Sequence, residues 1–135
     1  MLRDYTPDIS DLGDLDMDSD DLEVRVANRW GCNALCAQSA IRFVRAAAVA
    51  GTRVHVTSGY RSPEEQGQLY RDLPKGQAAS PADSEHSSWP AGALDFGTTD
   101  RSRELATQLK PLAEQSGFSY VLVERGTAWH LHCEA

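Results

Sequence analysis

Ser119-Tyr120-Val121-Leu122-Val123-Glu124, then Arg125-Gly126-Thr127, then Ala128-Trp129-His130-Leu131-His132-Cys133-Glu134 closes the chain. Two β-prone runs around a short glycine-containing connection predict a β-hairpin. Side chains alternate faces along a strand, so His130 and His132 project together while Trp129, Leu131 and Cys133 point the other way. Upstream, Ser84-Glu85-His86 and Asp95 offer a third imidazole and a carboxylate. Two imidazoles and a carboxylate, with one position left open, form a ligand set suited to a catalytic zinc. A solvated edge strand with two outward polar residues would show the same His-x-His pattern.

Outward from the hairpin, the chain alternates helix and strand signals. Asn33 is placed to cap a helix running to about Ala50 and closed by Gly51, with Ala37, Ile41, Val44 and Ala48 on its apolar side. Arg53–Thr57 reads as a strand ending at Ser58-Gly59-Tyr60-Arg61. Ser62-Pro63-Glu64-Glu65 is a capping box with proline at the first helical position, opening a helix to about Asp72. Residues 73–91, rich in Pro, Ser, Ala and Gly, carry no periodicity and contain His86; so long a stretch is functional or disordered. Gly92–Gly97 is a short strand, and Asp100 is expected to cap a helix from about Arg101 to Ser116 that Pro111 kinks. The order predicts an α+β domain with a small, largely antiparallel sheet and flanking helices.

The 135 residues fit one folded domain with a modest core. The net charge of −7 is concentrated at the start, where residues 1–23 hold nine acids and one base, Arg3. These residues are expected to form an acidic, extended or loosely held arm, with residues 24–135 as the folded domain. Asp16-Met17-Asp18-Ser19-Asp20 begins like a calcium loop but lacks the required Gly and closing Glu. With no basic stripe, nucleic acid is not an expected partner. No apolar run approaches a membrane span, and the first residues lack the layout of a secretory signal. A monomer made in the cytoplasm is therefore expected, released to an outside target only with help from another factor. Cys32, Cys36 and Cys133 do not form a disulfide framework. Cys32 and Cys36 could share a metal site, but small apolar packing residues are the simpler expectation.

Individual candidates have ordinary alternatives. Glu124 ends the first hairpin strand, where its carboxylate could approach the histidines or merely flank a turn. Asp95 sits in an apolar strand, where metal ligation, a salt bridge or a cap would each offset the cost of burial. Arg61 could hold a substrate carboxylate or pair with Glu64 or Glu65. His55, between Val54 and Val56, reads as an ordinary half-exposed residue.

The ordered set Val56-Thr57-Ser58-Gly59-Tyr60-Arg61-Ser62-Pro63-Glu64-Glu65-Gln66, Ser84-Glu85-His86, Ala93-Leu94-Asp95 and Trp129-His130-Leu131-His132 resembles one group of zinc peptidases. These are the D-Ala-D-Ala carboxypeptidases, the L-alanyl-D-glutamate endopeptidases and related phage endolysins. Asp95–Arg101, Gly117-Phe118 and His130-Leu131-His132-Cys133 are also similar to the hedgehog signalling domain, which shares that fold. The resemblance spans about residues 34–134. It implies that His86, Asp95 and His132 hold Zn2+ and that Glu124 is the general base for a zinc-bound water. It places Arg61, Tyr60 and Ser84 on the substrate side, and His130 beside the metal to stabilise an oxyanion or orient water.

The implied substrate is a peptidoglycan stem peptide or another small peptide, cut by a carboxypeptidase or an endopeptidase. A non-catalytic, zinc-containing binding module is the alternative that the hedgehog likeness implies. Two departures from the family pattern stand out. The family's H-x-x-G-x-A-x-D motif puts Asp seven residues after His, whereas Asp95 is nine after His86, with Ala91 at the glycine position. Family members with E-x-W-H point to His130 as the ligand, while the hedgehog-like His-Leu-His-Cys order points to His132.

Overall fold

The computed structural model describes residues 12, 15–72, 78–80, 84–87 and 89–135. Four α-helices and four strands make a small α+β fold: α1 (Leu22–Trp30), α2 (Ala34–Val49), β1 (Val54–Ser58), α3 (Pro63–Asp72), β2 (Ala93–Thr98), α4 (Arg103–Gln115), β3 (Tyr120–Arg125) and β4 (Trp129–Glu134). A 3-10 turn, Glu85–Ser87, carries His86. The sheet order is β1-β2-β4-β3, and every pairing is antiparallel. β2 and β4 are thus the central strands, and all six residues of β2 are buried.

The local chemistry of the elements is legible. Asn33 Oδ1 accepts the Cys36 N–H at 2.8 Å, starting α2 as expected. The capping box at α3 closes both ways, Ser62 N–H to Glu65 Oε1 at 2.9 Å and Glu65 N–H to Ser62 Oγ at 3.1 Å. At α4 the cap is Ser102 rather than Asp100: Ser102 Oγ accepts the Leu105 N–H at 3.1 Å. Asp100 supports the turn by accepting the Ser102 N–H at 2.9 Å. Pro111 lies inside α4.

α2 and α4 pack on one face of the sheet. Phe43 from α2 meets Phe96 of β2 edge-on at 5.1 Å between ring centroids, and Phe118 joins both rings. Leu94, Val121, Leu131 and Cys133 complete that face, and Cys32 and Cys36 are buried packing residues in the same core. The alternation of β2 and β4 leaves Asp95, Gly97, His130, His132 and Glu134 on the opposite face.

Most of the expected acidic arm, residues 1–11, 13 and 14, lies outside the described residues. Its described part is folded: Leu12 is buried, Leu15 and Met17 pack on the core, and the expected boundary at residue 23 falls within the first turn of α1. The helix α1 was not anticipated; Leu22 and Val26, four apart, supply its buried side. Residues 73–77, 81–83 and 88 of the long connection lie outside the described set. No described helix is long and apolar enough to cross a membrane.

Candidate functional site

Register builds the site. Asp95 of β2 stands opposite His132 of β4, and Gly97 opposite His130, while β3 sets Glu124 opposite His130. Same-face neighbours on adjacent strands lie about 5 Å apart, so these side chains must interact. β1 ends in a register shift between Val56 and Ser58, after which Gly59, Tyr60 and Arg61 leave the sheet. The 3-10 turn then lays His86 over Asp95 and His132, and Arg61 N–H is tied to the His86 carbonyl at 2.8 Å.

Three donor atoms converge. His86 Nε2 is 3.1 Å from Asp95 Oδ1 and 3.2 Å from His132 Nδ1, and His132 Nδ1 is 3.1 Å from Asp95 Oδ1. The far nitrogens of both rings are already committed. His86 Nδ1–H donates to the Gly59 carbonyl at 2.8 Å, and His132 Nε2–H donates to Glu134 Oε2 at 2.8 Å. With those tautomers set, two imidazole lone pairs and a carboxylate oxygen face one another in a nearly equilateral triangle. Such an arrangement is repulsive unless a cation or a proton sits among them. Ligands at about 2 Å around a tetrahedral ion stand roughly 3.3 Å apart, so the triangle fits a small tetrahedral metal ion. The partners of the far nitrogens are of the kind that orient metal-bound histidines.

The metal-free electrostatics agree. Burial opposes protonation of His132, but hydrogen bonds to Asp95 and Glu134 outweigh it and raise its pKa to about 9. Burial acts to raise the Asp95 pKa, yet hydrogen bonds from His132 and His86 and the nearby imidazoles hold it well below the usual carboxylate range.

A second group, Asp95, Glu124 and His130, also brings three potential ligand atoms together. Here the nitrogens are differently engaged. His130 Nδ1 is 3.1 Å from the Ala128 carbonyl and Nε2 is 2.9 Å from Glu124 Oε1, so both positions face acceptors. Burial disfavours the charged ring, but Glu124 and Asp95 overcome it and raise the His130 pKa. Arg61 Nη2 adds a further cation 3.6 Å from Asp95 Oδ2. Both groups could hold a metal ion by geometry; His86, Asp95 and His132 form the compact triangle of mutual 3.1–3.2 Å contacts, whereas in the second group His130 is paired with Glu124.

These groups line a cleft of about 570 Å³. Arg61, Ser84, His86, Asp95, Glu124, His130 and His132, all candidates from the sequence, border it. Tyr60 does not: its ring packs edge-on against Trp89 at 4.9 Å. Tyr60 thus stands beside Trp89, next to the last turn of α1, where its backbone N–H donates to the Trp30 carbonyl. Ser84 Oγ accepts the His86 N–H at 3.2 Å and thereby shapes the 3-10 turn.

Glu134 and Gln66 also line the cleft and are not among the candidates from the sequence. Glu134 follows His132 by two, the spacing that puts both on one face, and that alternation was the available signal. Gln66 is buried on α3, and its Nε2 donates to the Ala79 carbonyl at 2.6 Å. Its Oε1 and the Arg61 Nε are buried without a hydrogen-bond partner among the described residues. Both belong to cleft-lining side chains, where a bound ligand can satisfy them.

The family model VanY, described as D-alanyl-D-alanine carboxypeptidase, matches residues 31–124. The match takes in β1, α3, the His86 turn, β2 and β3. No curated protein matches the chain.

Proposed function

The chain belongs to the D-alanyl-D-alanine carboxypeptidase family, and we propose that it is a zinc-dependent peptidase acting on peptidoglycan stem peptides. What carries the proposal is the triangle of His86 Nε2, Asp95 Oδ1 and His132 Nδ1, with edges of 3.1–3.2 Å and both tautomers fixed from behind. His86, Asp95 and His132 would hold the ion. Zinc bound there supplies Lewis-acid activation of water and of the scissile carbonyl.

The chain's own groups divide the remaining work. Glu124 lines the cleft beside His130, where its carboxylate can take the proton of an attacking water and pass it towards the leaving amine. Protonated His130, held between Glu124 and Asp95, is a donor for the negative charge that develops on the carbonyl oxygen. Arg61 retains unused donor capacity at the cleft wall and would fix a substrate carboxylate or carbonyl, with Gln66 Oε1 accepting a peptide N–H. Ser84 holds the His86 turn in place. A terminal carboxylate at Arg61 gives carboxypeptidase action, and a backbone carbonyl there gives endopeptidase action.

Mass spectrometry of purified muropeptides incubated with zinc-loaded protein tests the proposal. Wild type should release a defined fragment, while Glu124→Gln should lose turnover by a factor of about 10² or more and keep one zinc per chain. Stoichiometric zinc without any product from wild type would instead leave the non-catalytic, hedgehog-like reading. Absence of stoichiometric zinc would remove both.

A further inference from the structure

A second hollow, of about 170 Å³, opens on the same sheet face next to the cleft. The two share His130 and Thr127 on their borders, so an extended ligand can run from one into the other. The floor of this hollow is Gly97. A Cβ there would come within 3.0 Å of His55 Nε2 and of Thr57 Cγ2, so any side chain would fill the space that the glycine leaves. Gly97 follows Asp95 by two residues on β2, a distance of about 7 Å along a strand, which an extended peptide covers in two residues.

The hollow differs from the cleft in charge. The cleft is bordered by three carboxylates, Asp95, Glu124 and Glu134. Among the described residues the hollow has none on its lining, which instead presents Arg101 with the imidazoles of His55 and His130. Arg103 lies behind the lining residue Trp129, its guanidinium stacked 5.3 Å over that ring.

Arg101 itself is held in an unusual way. Its φ of 55° is left-handed, a conformation that an arginine adopts only at a cost. The Arg101 N–H donates to Thr98 Oγ1 at 3.1 Å, which fixes the turn. The neighbouring Asp100 carboxylate is engaged with the Ser102 N–H and Thr98 Oγ1, and no ion pair to the Arg101 side chain is present among the described residues. A strained backbone thus presents an uncommitted guanidinium at the hollow.

We infer that this hollow is a substrate subsite selecting a carboxylate about two residues from the scissile bond, with Arg101 as the specificity-determining residue. The inference rests on the proposed peptidase reading of the adjoining cleft. The substrate class is accordingly an acidic peptide whose free carboxylate reaches Arg101 while the bond to be cut lies over His86, Asp95 and His132.

Binding separates this inference from catalysis. Zinc-loaded Glu124→Gln protein is titrated with two N-acetyl tripeptides ending in D-Ala-D-Ala, one with L-glutamate and one with L-glutamine at the first position. The glutamate peptide should bind about tenfold more tightly or better, the scale of one charge-assisted contact. Adding Arg101→Gly, which suits the left-handed backbone, should equalise the two peptides without weakening the glutamine peptide. Adding Arg101→Lys should keep the preference in reduced form. Equal affinities before the change, a preference that survives Arg101→Gly, or no binding of the acidic peptide would each overturn the inference. Binding with the expected preference, combined with no hydrolysis by the wild type, would refute the peptidase reading and leave the carboxylate site standing.

Discussion

Replacing Gly59 by alanine should loosen the fold and the metal site together. Gly59 is buried where β1 leaves the sheet, and its carbonyl accepts the His86 Nδ1–H at 2.8 Å. A Cβ on residue 59 would clash with the Trp30 carbonyl oxygen and lie 2.6 Å from the Trp30 Cβ. To reach ordinary contact, the segment must withdraw by about 1 Å, overpacking a site with little freedom to give. That movement stretches the Tyr60 N–H bond to the Trp30 carbonyl, now 2.8 Å, out of hydrogen-bonding range. Overpacking costs about 1–3 kcal/mol and the lost hydrogen bond about 1 kcal/mol, so a destabilisation of about 3 kcal/mol is expected. For a domain of this size that lowers Tm by roughly 10 °C. The same shift drags the carbonyl that fixes the His86 tautomer, so zinc affinity should fall about 10- to 100-fold, as when other partners of metal-bound histidines are lost. Thermal unfolding by circular dichroism with and without chelator, together with zinc competition against a fluorescent chelator, measures both effects. A variant melting within about 2 °C of wild type and binding zinc equally well would refute the reasoning.

Glu134→Gln should weaken zinc binding by about 10- to 100-fold, because the amide cannot fix the His132 ring as firmly as the carboxylate; unchanged affinity in the same competition assay would show that Glu134 does not orient the ligand. Zinc uptake should also depend on pH in a defined direction. Without the ion, His132 has its pKa raised to about 9 from an unfolded value of about 6.5, so its protonation stabilises the metal-free fold fully below pH ~6.5, and that contribution is lost as pH rises through about 9. Below about pH 9 each bound metal ion displaces that proton, so apparent zinc affinity should rise by up to about tenfold per pH unit until the ring deprotonates, and the gap in Tm between zinc-loaded and chelator-treated protein should widen. A gap that stays constant from pH 6.5 to 9 would contradict the assignment.

Much of the fold was open to inspection in the residues. Asn33 and the Ser62–Glu65 capping box declare their helices through local hydrogen bonds, and the hairpin declares itself through alternation around Gly126. Helix α1 was missed because its apolar residues are few, and because Leu12, Leu15 and Met17, which pack alongside it, are scattered among aspartates. Either Asp100 or Ser102 can cap a helix by residue type, and backbone geometry alone selects Ser102 for α4. The sequence likewise placed Tyr60 with Arg61 on the substrate side. The path of the chain after β1 separates them, sending the ring to Trp89 and the guanidinium to Asp95.

The sequence by itself determined that His130, His132 and Glu134 share a face, because the two-residue period of a strand permits no other arrangement. It also supplied His86, Asp95, Glu124 and Arg61 as the groups from which a site could be made. The resemblance already set His132 apart from His130; the tertiary structure supplies the contacts that each ring makes. His132 meets Glu134 with its outer nitrogen and faces His86 and Asp95 with the other, while His130 lies between the Ala128 carbonyl and Glu124. The difference depends on which distant carbonyl or carboxylate meets each ring nitrogen. Gly59 is 27 residues from His86, and Asp95 is 37 from His132. Periodicity sets the face of a side chain, but the direction of a lone pair is set by long-range contact.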